Sequence, residues 1–245
     1  MSKQHEVKLQ SGYTYHLIFR GNNSENIFLE NKNYNYFLLK YWERMSPLFN
    51  TFAFCQMGNH AHFLIQVKPY LELHHAQPFY FSRPLKATVA DDIEIEEQEE
   101  YDEKISLNLS KQIGKWLAGY TKAINIGYDR KGKLFNTPFD RIKVEDERYF
   151  EYLLCYIHRN PLHHGFCENW NDWKYTSYRF LLESFDDEKF QQIMPSKFET
   201  KEPFTFCPEM LLDYTFIKNW FDSKENYLLA HELSLEGMIR DFLLE

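Results

Sequence analysis

Apolar positions alternate over short stretches early in this 245-residue chain and then recur at three- and four-residue spacing. YTYHLIFRG, Tyr13–Gly21, is rich in aromatic and branched residues and gives way to GNNSEN, which predicts a strand followed by a loop. In NKNYNYFLLKYWERM the residues Tyr34, Phe37, Leu38, Tyr41 and Met45 keep the spacing of a helix stripe, which Pro47 stops. FNTFAFCQM predicts a second strand, with Phe52 and Phe54 on one face and Phe49 on the other. Gly58-Asn59 is a two-residue hairpin signal, and HAHFLIQV predicts the third strand. A helix is expected from about Leu109, with Leu109, Ile113, Trp116, Leu117, Tyr120 and Ile124 as its stripe and Gly127 as its C-cap. RIKVED predicts a fourth strand, and ERYFEYLLCYIHRN a helix stopped at Asn160-Pro161. Further helical segments follow from about residue 168.

The order strand, helix, strand, strand, helix, strand predicts an α+β fold. It implies a ferredoxin-like antiparallel sheet with helices packed on one face, plus a helical C-terminal extension. The other face of the sheet is then free for a ligand or for chemistry. Residues 68 to 105 break the pattern with three prolines, a His-His pair and an acidic run. They read as an insertion, loosely attached over residues 88 to 104, because high net charge supports no core.

Charge changes the picture once it is located. The net charge of −8 argues against a nucleic-acid partner. DDIEIEEQEEYDEK, Asp91–Lys104, holds nine acids and one lysine, so it carries the whole −8 and the remainder sums to zero. From Lys111 to Lys143 there are eight basic residues against Asp129 and Asp140, a net +6. A local basic patch is what phosphate binding requires, although a solvated helix face followed by a basic turn has the same composition. Aromatics at 18% serve core filling or base stacking, which composition does not separate. No apolar run approaches the roughly 20 residues of a membrane span, and MSKQHEVKLQ lacks an apolar signal core, so a cytoplasmic protein without membrane contact is expected. Cys55, Cys155, Cys167 and Cys207 show no C-x-x-C spacing and fit reduced structural thiols.

The candidate chemistry begins in CQMGNHAHFLIQV, Cys55–Val67. Side chains two apart on a strand share a face, so His60 and His62 stand about 7 Å apart at the backbone and can converge on one metal ion or phosphate. A pair on an edge strand can equally face water. Tyr120 lies on the stripe of the later helix. An ordinary core tyrosine fits there, but a stripe packed on the sheet can also deliver a phenol to the histidines as a nucleophile. Gly114 and Gly119, inside the same helix, leave room for close approach of another element or of a nucleic-acid backbone.

These residues resemble a family. MGNHAHFLIQV resembles the M-P-N-H-x-H-x-L-x motif of the single-tyrosine HUH transposases. YTKAINIGYDRKGKLFNTPFDRIKVEDERYFEYLLCYIHRNPLHHGF resembles the second family block. There a helix carrying the tyrosine leads into R-x-G-x-L-F, an arginine, V-x-D and Y-I-H-x-N-P. The pattern is similar to the REP-associated tyrosine transposases, within the bacterial insertion-sequence group. It covers about residues 13 to 180, which defines a domain at 1–180 with the insertion at about 68–105, and leaves 181–245 as the helical extension. Gly58 stands where the family has Pro. Position 124, one turn after Tyr120, is Ile, whereas some members carry a polar metal ligand one turn after the tyrosine.

The resemblance implies metal-dependent cleavage and rejoining of single-stranded DNA, flanked by a hairpin, through a 5′-phosphotyrosine intermediate. Tyr120 would attack. His60 and His62 would hold Mg2+ or Mn2+, with Asn125 the nearest polar candidate for a third ligand. Lys111, Lys115, Lys122, Arg130, Lys131, Lys133 and Arg141 would contact phosphates. The acting species would be a monomer or a homodimer. The alternatives are a non-catalytic single-stranded nucleic-acid-binding module and an inactivated or domesticated transposase. A two-histidine phosphoesterase needs a second H-x-[ST] element, which the chain lacks.

Overall fold

The structure, a computed structural model, describes residues 7–69, 72–73, 95–186, 188 and 208–233. Four strands form one sheet: β1 Thr14–Arg20, β2 Phe49–Met57, β3 His60–Val67 and β4 Asp140–Val144. Their order is β2-β3-β1-β4, and every pairing is antiparallel. That is the ferredoxin-like arrangement expected from the order of elements. Met57 pairs with His60, so Gly58-Asn59 makes the two-residue turn.

Among the described residues six α-helices accompany the sheet: α1 Asn31–Met45, α2 Ile95–Gly127, α3 Glu147–His163, α4 Tyr178–Ser184, α5 Tyr214–Phe221 and α6 Lys224–Glu232. They cover both faces rather than one. Along β3 the odd residues meet α1 and α2. Phe63 stacks on Tyr41 at 4.5 Å, and its edge meets Trp116 at 6.2 Å. The even residues face α3, where His62 meets Tyr156. The stripes of α1 and α2 are buried as expected, from Phe37 and Tyr41 to Ile113 and Trp116.

The edge of β2 is not left open, which removes a template for mispairing. Gln56 N–H donates to Tyr175 O, Ser177 N–H to Phe54 O, and Asp213 N–H to Thr51 O. A bulge between Thr51 and Ala53 corrects the expected facing of β2. Phe54 stays with Phe63, whereas Phe52 turns to Phe150 of α3 and Phe216 of α5.

The second long helix starts at Ile95, well before Leu109 and inside the expected insertion. Acids near a helix N-terminus complement its dipole, so Glu96, Glu97, Glu99 and Glu100 favour a helix start there. Residues 95–104 are thus helical rather than irregular, and 88–94, the rest of the segment expected to be loosely attached, lie outside the described residues. At the other end Asp129, not Gly127, takes the left-handed position with φ 49°, while Arg130 N–H donates to Asn125 O. Gly114 and Gly119 face solvent, and a Cβ built on either meets nothing within 4 Å. Gly114→Ala and Gly119→Ala should therefore each raise stability by about 1 kcal/mol. Urea midpoints that did not rise would show that the positions are constrained by something beyond the helix.

Cys55, Cys155 and Cys167 are free thiols, and Cys207 lies outside the described residues. Among the described residues no helix is long and apolar enough to cross a membrane.

Candidate active site

Strand alternation places His60 and His62 on the face of β3 that meets α3. On the neighbouring strand Arg20 lies opposite His60 and Ile18 opposite His62, so His16 and Arg20 share that face. Helix α3 is fixed at both ends. The Asp146 carboxylate accepts from Tyr149 N–H at its start. At its finish Gly165, with φ 70°, lets Gly165 N–H donate to Leu162 O and Phe166 N–H to Pro161 O. This C-terminal motif carries the helix past Pro161, the expected stop, to His163. Residues one turn apart on α3, Tyr156 and Asn160, then look onto the histidines.

The rings of His60 and His62 are 5.0 Å apart, and Tyr156 stands edge-on to His62 at 6.0 Å. His60 Nδ1 lies 2.7 Å from the amide oxygen of Asn59, so it carries the hydrogen and donates. Its Nε2 is then a bare nitrogen, 3.4 Å from Asn160 Oδ1. Without an occupant, the Asn160 amide can turn its buried, unpartnered Nδ2–H to that nitrogen; with its Oδ1 presented, the two acceptors suit a shared cation, since ligands at about 2.1 Å and right angles in an octahedral shell stand about 3 Å apart. His62 Nδ1 is 2.8 Å from His16 Nε2, and its own Nε2 is buried with no hydrogen-bond partner. Among the described residues no three His, Cys, Asp or Glu side chains are arranged to hold a metal. A cation here would need the Asn160 carbonyl as its third protein donor.

Burial keeps these imidazoles neutral. It lowers the pKa of His60 to about 4 and of His16 to about 3, and holds His62 well below the ordinary 6.5, where the neighbouring His16 and His60 add to the effect. Arg20, in an ion pair with Asp140 at 2.6 Å, brings a half-exposed cation to the rim. The exposed His164 ring lies 4.9 Å from His60.

Tyr120 does not join this group. It lies on the opposite face of the sheet, packed against Phe28, Phe37 and Phe135, and is 1% exposed. Its hydroxyl donates to Ile27 O at 2.8 Å, and burial pushes its pKa above the ordinary 10. The expected approach of Tyr120 to the histidines is thus corrected: α2 covers the wrong face. Asn125 is corrected with it, because its side-chain NH2 donates to Gly132 O and its Oδ1 accepts from Arg130, closing the turn after α2.

The basic residues divide. Lys111, Lys115 and Lys122 are exposed on α2, across the sheet from the histidines. Arg130 pairs with Glu25, and Arg141 donates to Ser110 Oγ of α2 at 2.6 Å. Lys131 and Lys133 lie exposed on a loop whose backbone bonds to Arg20 and Asn22 hold it at the end of the sheet where β3 begins with His60. Sequence reasoning missed His16, Arg20, Tyr156 and Asn160. The usable signal was the asparagine one turn after Tyr156, where Tyr120 is followed by Ile124.

No protein-family model matches the chain, and no curated protein matches it. One solved structure, of a REP-associated tyrosine transposase bound to a REP hairpin, matches with a TM-score of 0.43 and 13% sequence identity, over 84% of this chain and 100% of that one.

Proposed function

We propose that this chain cleaves and rejoins single-stranded DNA, with Tyr156 as the nucleophile and with His60, His62 and Asn160 holding Mg2+ or Mn2+. The observation that supports it is the convergence on one face of a half-buried phenol, the unpartnered His62 Nε2 and the facing pair His60 Nε2 and Asn160 Oδ1. When bound, such a cation supplies Lewis acidity at a scissile phosphate.

The chain's own residues carry the rest. The Tyr156 oxygen attacks phosphorus and the P–O3′ bond breaks, which leaves a 5′-phosphotyrosyl link and a free 3′-hydroxyl. Attack by a 3′-hydroxyl reverses the step, so no nucleotide energy source is consumed. The phenol must lose its proton. The His163 ring stacks beside Tyr156 at 6.3 Å, and partial burial lowers its pKa, so it is neutral near pH 7 and able to accept that proton. Arg20 would contact a phosphate at the rim, and Lys131 and Lys133 would extend that contact along the strand.

The test is a covalent adduct. Mixed with hairpin-flanked single-stranded DNA and Mn2+ or Mg2+, the protein should form a species that survives denaturation. Chelation should prevent it. His60→Ala and His62→Ala each remove several kcal/mol of charge stabilisation, and should slow the reaction by about 100-fold or more. DNA binding without any adduct, across hairpin-bearing substrates, would replace this reading with that of a non-catalytic binding module.

A further inference from the structure

We infer that His16 is the reversible hydrogen-bond partner that lets His62 meet its occupant in either tautomer, accepting from His62 Nδ1–H when His62 offers the site a lone pair and donating when His62 offers an N–H. His16 is a positioning residue in this scheme, since it acts only through His62. The inference rests on the reading of His62 as a cation ligand.

The two rings are stacked, with centroids 5.0 Å apart and planes at 24°, and the contact is a 2.8 Å bond between His16 Nε2 and His62 Nδ1. Both side chains are buried, at 1% exposure each. A hydrogen bond between two neutral imidazoles has one donor, so two arrangements exist. In one, His62 Nδ1–H donates, its Nε2 is a bare nitrogen, and His16 carries its hydrogen on Nδ1. In the other, His16 Nε2–H donates and His62 carries its hydrogen on Nε2. The outer nitrogens, His16 Nδ1 and His62 Nε2, are both buried with no hydrogen-bond partner. Each arrangement therefore leaves one N–H and one bare nitrogen unmatched. The surrounding protein does not choose between them, so the occupant of the site does.

A divalent cation selects the first arrangement, because it binds only a deprotonated nitrogen. That arrangement requires an acceptor for His62 Nδ1–H, and His16 Nε2 supplies it. His60 is set in the same sense by a different group, the amide oxygen of Asn59. The two ligands differ in one respect. The Asn59 oxygen can only accept, whereas His16 can reverse the bond and let His62 present an N–H, for instance to a phosphate oxygen.

The test measures Mn2+ affinity by calorimetry on the full chain without DNA, for wild type, His16→Phe and His16→Gln. Removing the acceptor should weaken Mn2+ binding by about 10- to 100-fold, the usual cost of losing a group that orients a metal ligand. His16→Gln, whose side-chain oxygen can accept from His62 Nδ1–H, should restore most of it. Affinity in His16→Phe equal to that of wild type overturns the inference and leaves the cation reading standing. Absence of Mn2+ binding in wild type overturns the cation reading and this inference together. The side-chain 15N spectrum of wild type with Mg2+ needs no variant. It should show hydrogen on Nδ1 of both His62 and His16, and a hydrogen on His16 Nε2 would refute the assignment.

Discussion

Tyr156→Phe is expected to abolish the covalent DNA adduct, and Tyr120→Phe to leave it intact. The first change removes one oxygen from a half-buried ring that meets both His62 and His16 edge-on, at 6.0 and 6.4 Å. The aromatic packing with Tyr152 survives, so folding and DNA binding should be retained. Loss of a nucleophile slows such a reaction by about 10⁴-fold or more. The second change acts elsewhere. The Tyr120 hydroxyl is a structural donor to Ile27 O, and its loss leaves a buried carbonyl unmatched, at a cost of about 1–3 kcal/mol in stability. Denaturing gels and urea midpoints on both variants separate the two roles. An adduct that persists in Tyr156→Phe and disappears in Tyr120→Phe would return the nucleophile to α2.

The metal-free protein should lose stability steeply as the pH falls from 6.5 toward 4. Burial lowers the pKa of His16 to about 3, and of His60 and His231 to about 4; His62 and His158 are also held well below the ordinary value. Once unfolded, each imidazole takes up a proton near pH 6.5, while the folded protein stays neutral there until about pH 4. The unfolded state binds more protons across that window, so the stability contributed by these groups is full above 6.5 and is lost on acidification. Two such groups alone remove about 3 kcal/mol per pH unit. That is a large share of the roughly 5–15 kcal/mol that holds a domain together. The check is the urea midpoint at pH 7, 6 and 5, and an unchanged midpoint at pH 5 would mean that the histidines protonate without unfolding the chain.

Much of the sheet was legible because its periodicity is local. β2 and β3 occupy the expected residues, and α1 buries the expected stripe from Tyr34 to Met45. What failed was relational. A 3.6-residue stripe tells which side of a helix is buried but not which side of the sheet the helix covers. Tyr120 and Tyr156 both lie on helices packed against this sheet, and only α3 lies on the histidine face. The bulge at Phe52 is hidden for a similar reason, since an extra residue in a strand leaves no mark on composition. The start of α2 was missed because its acidic N-terminal turns read as unstructured charge. The histidine pair itself was legible, since two residues apart on a strand fixes a shared face whatever the packing.

His158 lies midway between Tyr156 and Asn160 on α3, and its Nδ1 is 2.8 Å from His231 Nε2 of α6. Its Nε2 meets Ser177 Oγ at 2.8 Å, and His231 Nδ1 donates to Tyr227 O. The whole chain of contacts is buried. A boundary at residue 180 marks where the sequence resemblance ends, yet it would cut through the interior and strip His158 of a partner inside the helical turn that carries Tyr156 and Asn160. Substitutions at Tyr227 or His231 therefore act on the packing of the helix that carries Tyr156 and Asn160, although neither residue touches the histidines of β3. A segment that reads as an appendage can no longer be shed as one.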